Sequence, residues 1–587
     1  MHEVFERRVR EHPDRVALTE ADGGSLTYGQ LNAAANRLAH ALNAHGVKPG
    51  DLVGLHLAHG ASYVIALLAV LKAGAGYVPL EPGLPSARLT LMATEPDLAV
   101  ILTTQPWTLT ATPLLDPTSV AAHPDTNPVH PADPERVFYI PYTSGSTGQP
   151  KGTLVPHRAI PGFFTNVSYA TWGSEAVTLL HSALSWDGNL VEILPPLLTG
   201  GRIIIHTGSN RDPLSVAETA QAHQVTHLFL PTVAFNTIIT TNPHLLTNVR
   251  YLMFGGEAVT VRHVQTALTE LPGTRLIHCY GPSECTVFAT AHPVTHADLD
   301  RPTIPIGTPI GDRAVHLIDV ETGQTVTEPG QAGEVCISGP SLAHGYLNRP
   351  TLTATAFRPY ANGRLYRTGD LATYTPDGLL LFQRRTDTQH KIRGYRIELT
   401  EIENVLTTHP HITHAAVTTH PDPTGTLRLT AYLTTTEDLT AADIRTHLQP
   451  HLPDYMIPTT YLPIAQLPTT HNGKTDRAAL PPPHTLTPLP TGQEAAEEET
   501  GPLHRTIAGI WREVLGVPAV GSADNFFTLG GHSLAAVRLL FLVRDRLKVE
   551  LTLRDLYEAD DFAAFVTRVG ERLPAGTELT AESADER

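Results

Sequence analysis

The chain has 587 residues, 41% of them hydrophobic, which is enough for several buried cores and for about three to five domains. Its formal net charge of −17 argues against nucleic acid as the main partner, so a polyphosphate site here has to be made positive locally. Cys279, Cys285 and Cys336 lack metal-type spacing, the start MHEVFERRVREHPDR is too charged for a signal peptide, and no apolar run is of bilayer length. These features predict a cytoplasmic protein in a reducing compartment, with no nucleic-acid and no membrane partner.

Residues 27–46 read as a helix. Thr27 and Gln30 make a capping-box pattern, Leu31, Ala35, Leu38 and Leu42 form a stripe, and Gly46 is a stop. A second helix at 63–72 leads through Gly74 and Gly76 into a strand at 77–80. Residues 103–134, rich in Thr and Pro, form an irregular connection. An apolar, β-prone run at 137–140 follows. Strands at 201–206, 227–230, 251–254 and 276–278 then alternate with helices near 213–223 and 261–270, the signature of an α/β fold with largely parallel sheets. From 302 to 383 the strands shorten and turns multiply, as in a small β-barrel or sheet. A charged stretch, 384–403, opens a smaller α+β unit that ends near 480. Pro481-Pro482-Pro483 and QEAAEEETG make a linker. The last unit is small and helical: Ile507, Ile510, Trp511, Val514 and Leu515 share one face, and a second helix starts at Ser533. The tail after Leu573 is polar and expected to be disordered.

The stretch FYIPYTSGSTGQPKG carries the chemistry most openly. Thr143, Ser144, Ser146 and Thr147 crowd around Gly145 and Gly148, and glycines let successive N–H groups point into one concavity. With Lys151 behind it, this nest suits a polyphosphate. It is not the Walker loop, because Pro150 precedes the lysine and Gly152 follows it. Six small residues describe a flexible surface loop equally well; the flanking strand, Pro150, Lys151 and Gly152 favour phosphate.

CYGPSE (279–284) follows a strand, and loops at the carboxyl ends of strands bind ligands in open α/β sheets. There Tyr280 can stack on a base and Glu284 can hold Mg2+. YRTGDL (366–371) places Asp370 where it can accept two ribose hydroxyls. NGKTDR (472–477) presents Lys474 at a turn, where a lysine is usually just solvated. In DNFFTLGGHSL (524–534), Ser533 is either a plain N-cap or a serine at the positive end of a helix, where a phosphodiester is stabilised.

In this order the motifs resemble the adenylation domain of a nonribosomal peptide synthetase, of the adenylate-forming superfamily, followed by a peptidyl carrier domain. The resemblance covers residues 1–572 and also takes in LTYGQL, LKAGAGYVPLEP, GEVCISGPSLAHGYL and LPDYMIP. It implies a core subdomain at 1–384, a C-terminal subdomain at 385–482, a linker at 483–502, a four-helix carrier at 503–572 and a tail at 573–587. It implies two half-reactions: an amino acid attacks ATP to give aminoacyl-AMP and pyrophosphate, and the aminoacyl group passes as a thioester to 4'-phosphopantetheine on Ser533. By the family's roles, Thr143, Ser144, Gly145, Ser146, Thr147, Gly148 and Lys151 hold pyrophosphate. Tyr280 stacks on adenine, Ser283 contacts phosphate, Glu284 binds Mg2+, and Asp370 and Arg385 hold the ribose. Lys474 bridges the substrate carboxylate and the adenylate. Asp387 is the candidate hinge for rotation of the C-terminal subdomain. Family members usually have Gly at 384 and 400 and Phe at 186, where this chain has Arg384, Thr400 and Trp186.

The resemblance also implies a substrate pocket. Asp187 matches the aspartate that pairs with the α-ammonium, and Gly188, Val191, Phe229, Met253, Gly255, Cys279, Val287 and Phe288 line the rest. The set is similar to pockets for branched aliphatic amino acids, isoleucine first and then valine. The implied partners are a phosphopantetheinyl transferase and a downstream synthetase module or tailoring enzyme in trans, since neither a condensation nor a thioesterase domain is found in the sequence. Some relatives need an MbtH-like protein. Competing readings are an acyl- or aryl-acid ligase, against which Asp187 and the fused carrier argue, and a non-catalytic carrier and docking protein, against which Lys151, Glu284, Asp370 and Lys474 argue.

Overall fold

The computed structural model describes residues 1–573 except 22, 146–147, 209–211, 362, 388, 393–394, 422–426, 470–474, 491–500, 518–519, 528 and 532, and the backbone alone at 533, 534 and 554. All of the expected tail at 573–587 but its first residue, and residues 491–500 of the linker, lie outside the described residues. The chain divides into two compact units: Met1–Ser144 with Pro150–Gly394, and Gly145–Gln149 with Tyr395–Arg587.

The first unit is built on three large sheets. In the nine-stranded one, the order runs Thr308–Pro309, Thr290–Pro293, Arg275–Tyr280, Tyr251–Gly255, His227–Pro231, Val177–Leu180, Arg202–Ile205, Val16–Glu20, Ser25–Thr27. Six of its seven interior strands, from Arg275–Tyr280 to Val16–Glu20 in that order, are parallel neighbours. They are apolar because helices cover both faces; Ile203, Ile204 and Ile205 are all buried. A six-stranded sheet carries Leu52–His56, Gly76–Pro79, Val100–Thr103 and Val137–Tyr139. The third sheet is antiparallel, with Ala332–Ser338 beside Gly363–Tyr374 and Leu380–Arg385 paired to the latter. It occupies the short-stranded region expected from 302 to 383.

The helix Tyr28–Ala44 shows how local sequence sets a boundary. Thr27 donates its N–H to the Gln30 side chain (2.9 Å) and accepts from the Gln30 N–H (3.2 Å), closing the capping box. Gly46 sits just beyond the helix at φ +91°. The helix Asn189–Thr199 was not expected, since Pro195 and Pro196 lie inside it. Every residue from 189 to 198 is buried, so packing overrides the two lost N–H donors. Gly200 ends the helix in the left-handed region, its N–H donating to the Pro196 carbonyl.

The second unit contains a three-stranded sheet of Ile412–Pro421, Leu427–Thr435 and Thr460–Pro463, with the helices Leu399–Leu406 and Ala441–Leu448. It also contains the four helices Pro502–Leu515, Ser533–Leu547, Leu553–Tyr557 and Phe562–Glu571. Ile507, Ile510, Trp511, Val514 and Leu515 are buried as their spacing predicts, and Trp511 packs edge-on against Phe526 (5.1 Å) and Phe562 (4.9 Å). Among the described residues no helix is long and apolar enough to cross a membrane.

Candidate active site

Asp187 and the CYGPSE segment lie at the carboxyl ends of two parallel strands of the nine-stranded sheet, Val177–Leu180 and Arg275–Tyr280, where a loop can reach a ligand without breaking a ladder. The glycine-serine loop begins and ends on a short antiparallel pair, Tyr142–Thr143 with Lys151–Gly152, which sets Thr143 opposite Lys151. Between them the Gly148 N–H donates to the Gly145 carbonyl (2.8 Å) with Gly148 at φ +77°. A Cβ on Gly145 would lie 2.0 Å from the Gln149 carbonyl oxygen, so the tight return requires glycine. The buried Thr143 hydroxyl has no hydrogen-bond partner among the described residues, as suits a group awaiting a phosphate oxygen. Ser146 and Thr147 lie outside the described residues.

Lys151 and Glu284 meet in the interior. Their charged atoms are 3.6 Å apart, and both side chains are almost fully buried. Tyr346 joins them: Lys151 donates to its hydroxyl (3.1 Å), and the hydroxyl donates to Glu284 (2.7 Å). The Lys151 ammonium also lies 4.2 Å from the Tyr346 ring centroid. Tyr346 sits in the GEVCISGPSLAHGYL stretch, but nothing in the sequence ties that tyrosine to residues 151 and 284.

A second cluster surrounds Tyr280. Its hydroxyl donates to Asp370 (2.6 Å), and burial followed by that carboxylate's charge pushes the phenol well above its usual range. Arg385 lies opposite Asp370 in the antiparallel register of Gly363–Tyr374 and Leu380–Arg385 and donates to it at 2.5 Å. The same guanidinium forks onto Asp387 (2.7 and 2.8 Å) and reaches the Thr368 carbonyl (3.0 Å). The Lys391 ammonium lies 5.4 Å from the Tyr280 ring centroid.

Asp187 is carried on the loop that follows strand Val177–Leu180. Burial raises its carboxyl to about 6, against hydrogen bonds from the Ser283 side chain and the Val287 backbone that pull it back down. Carboxylates outside the loop hold it. Glu192 accepts the N–H groups of His181 (3.0 Å) and Ser182 (3.1 Å) and the Ser182 hydroxyl (2.5 Å), while Glu81 accepts from the N–H (3.1 Å) and hydroxyl (2.6 Å) of Ser185. Burial raises the Glu192 carboxyl to about 7.

The other residues expected to line a pocket are brought together by strand register. Phe229 pairs with Met253 and Gly255 with Cys279 across neighbouring parallel strands. Gly188, Val191, Val287 and Phe288 are buried beside them, and Phe288 packs 5.3 Å from Phe229. Thr286 and Val287 both have positive φ, +61° and +62°, a costly conformation for β-branched residues. The turn is held by the Arg313 guanidinium, which donates to the Cys285 (3.3 Å) and Thr286 (3.0 Å) carbonyls, and by the Thr286 hydroxyl on the Ser341 carbonyl (3.0 Å). Sequence reasoning missed Arg313 and Glu192 because their roles lie in contacts across the fold. Lys474 lies outside the described residues. Ser533 is the first residue of its helix, as expected.

Comparison with known proteins identifies the family. The family model for AMP-binding enzymes matches residues 5–347, its C-terminal domain model matches 401–474, and the phosphopantetheine attachment site model matches 505–569. The chain is 38% identical to malpibaldin synthetase of Mortierella alpina over 97% of its own length, spanning 10% of that protein. It is 34% identical to bacitracin synthase 1 of Bacillus licheniformis over 100% of its length, spanning 11% of that protein. The chain thus corresponds to a small part of these much longer relatives. Among solved structures, holo-PA1221, an NRPS protein containing adenylation and PCP domains, matches with a TM-score of 0.84 and 31% identity, over 97% of this chain and 96% of that one. The adenylation domain uses ATP with Mg2+, and the attachment-site domain carries phosphopantetheine covalently. The residues fit both: Glu284 offers a hard carboxylate oxygen for Mg2+, phosphate oxygens can complete its shell, and Ser533 offers a hydroxyl at a helix start. The chain belongs to the AMP-binding enzymes, in the adenylation-plus-carrier arrangement of nonribosomal peptide synthetases.

Proposed function

We propose that the chain activates an α-amino acid as its adenylate and passes the aminoacyl group to its own carrier. The observation that carries this reading is Asp187: a buried carboxylate, 5% exposed, that follows Trp186 in the chain where that ring packs on Phe229 and Phe229 on Phe288. Such a group is costly without a cation, and a substrate α-ammonium is the partner its setting calls for. In this reading Thr143, Ser144, Gly145, Ser146, Thr147, Gly148 and Lys151 bind the pyrophosphate portion of ATP, and Ser283 contacts phosphate. Glu284 holds Mg2+, Tyr280 faces the base, and Asp370 with Arg385 fixes the ribose.

The chemical step needs alignment and charge stabilisation rather than covalent help. Lys151 and Lys474 supply positive charge at the phosphates and the carboxylate, and the buried setting of Lys151 strengthens that charge. Phosphopantetheine on Ser533 supplies the thiol that accepts the activated acyl group. The side chain of the amino acid is aliphatic and branched, isoleucine or valine, since Gly188, Val191, Phe229, Met253, Gly255, Cys279, Val287 and Phe288 offer no charge to a polar one. The partners in this reading are a phosphopantetheinyl transferase and a synthetase module or tailoring enzyme that takes the loaded carrier.

The test is an ATP–pyrophosphate exchange panel of α-amino acids run beside their desamino analogues. Exchange with valine or isoleucine and none with the analogues is expected, and the reverse pattern sinks the amino-acid reading. For the carrier, Ser533→Ala should leave exchange intact and abolish covalent loading seen by mass spectrometry. Mass gained on that variant would show that the serine is not the attachment point.

A further inference from the structure

We propose that Trp186 is a specificity-determining residue, its indole filling the space beside Gly188 and so limiting the length of substrate side chain the pocket admits. The inference rests on the reading that Asp187 holds the α-ammonium and deepens it to the size class of the amino acid. A Cβ built on Gly188 would lie 2.5 Å from Cζ3 and 2.7 Å from Cε3 of Trp186, and 2.9 Å from Cε1 of Phe229. A side chain at 188 would therefore project into the place the indole occupies. The glycine leaves room for the tryptophan, and the tryptophan takes the room the glycine leaves.

Trp186 is also held in place at both ends. Its backbone is fixed by its own N–H on the Ala183 carbonyl (3.1 Å) and by the Asn189 amide, which donates to the carbonyls of Trp186, Ala183 (3.2 Å) and Leu184 (3.0 Å). Glu192 and Glu81 pin the rest of the Asp187 loop. The Trp186 ring packs 5.4 Å from Phe229, Phe229 packs 5.3 Å from Phe288, and Phe288 packs 6.3 Å from Tyr169. Four rings thus run as one packed row that begins at the residue before Asp187, and three of the four, Phe229, Phe288 and Tyr169, are buried. A wall of packed aromatics excludes substrate bulk by overpacking, which is a steeper barrier than the loss of a contact. The class of substrate is an α-amino acid with a short aliphatic side chain, and methionine, phenylalanine and tryptophan are outside it.

The test is the exchange panel on the full chain with valine, isoleucine, leucine, methionine, phenylalanine and tryptophan. Wild type should favour the first two over phenylalanine by about a hundredfold or more in kcat/KM. Trp186→Ala should raise methionine and phenylalanine by about tenfold or more relative to valine, and Trp186→Phe should fall between. An unchanged ranking in Trp186→Ala overturns the proposal. A reciprocal pair guards against simple misfolding: Gly188→Ala should lose exchange with valine, and Gly188→Ala combined with Trp186→Ala should recover part of it, the Phe229 edge 2.9 Å from that Cβ limiting the rest. No recovery in a double variant that keeps the wild-type melting temperature also overturns the proposal. Exchange driven in wild type only by acids lacking an amine would remove the underlying reading instead, and that result appears before any variant is made.

Discussion

The two halves of the site are stabilised in opposite ways. On the half proposed to take the nucleotide, charges come in opposed sets: Lys151 with Glu284 through Tyr346, and Arg385 with both Asp370 and Asp387. On the proposed acid half, Asp187 is the one charged group among the described residues assigned to the pocket lining, and the groups around it are the Ser283 side chain, rings, aliphatic chains and backbone. A ligand with a constant shape and several charges can be matched by paired polar groups that are complete before it arrives. A ligand that differs only in its hydrocarbon side chain has to be read by shape, with one fixed charge to set its orientation.

Four measurements test that contrast. Lys474→Ala removes the charge proposed to serve both the carboxylate and the adenylate, and should lower exchange by about 10²–10³-fold; an unchanged rate takes the residue out of the chemistry. Asp187→Ala should cost an amino acid roughly a hundredfold in kcat/KM, close to the upper end for a buried charged hydrogen bond, and cost its desamino analogue far less. Equal losses would erase the distinction between the halves. Tyr346→Phe deletes a hydroxyl that bridges two charged groups, so exchange should fall about tenfold with KM for ATP rising, while the ranking of amino acids stays as it was. A changed amino-acid ranking would mean that the nucleotide half also reads the side chain.

The smallest effect is in pH. Burial raises Asp187 to about 6, so below that pH the carboxyl is protonated and loses its pairing with the ammonium. KM for the amino acid should climb about tenfold per pH unit below 6, with KM for ATP flat in comparison. For stability the sign is opposite. The native pKa lies above the ordinary 3.8, so this group's burial penalty is present above about 6 and is relieved as pH falls toward 3.8. A KM for the amino acid that does not move between pH 7 and 5 would separate Asp187 from substrate binding.

Lys151, Glu284, Tyr280, Asp370 and Arg385 stood out in the sequence because they sit in short, ordered motifs whose spacing follows from local geometry. The Thr27–Gln30 capping box and the carrier stripe from Ile507 to Leu515 were legible for the same reason. Tyr346 was not, because its role exists only where three parts of the chain converge. The helix Asn189–Thr199 was hidden by Pro195 and Pro196 and by burial on all sides, which erases the amphipathic period. Trp186 was visible as a departure from the family pattern, but its function depends on the absent Cβ of the residue two positions on, and that is a fact of packing.

The Thr286–Val287 turn bears on redesign of the pocket. A β-branched residue at φ +62° carries about 1–3 kcal/mol of backbone strain. Truncating a buried valine ordinarily costs roughly 1.5–3 kcal/mol of lost burial. At Val287 a change to glycine would forfeit the second amount and recover the first, so the two nearly cancel. Position 287 is therefore a place where the cavity can be enlarged with little loss of thermal stability, provided Arg313 continues to hold the turn in shape. A library aimed at bulkier substrates would start there, and would keep Cys285, Thr286 and Ser341 as they are.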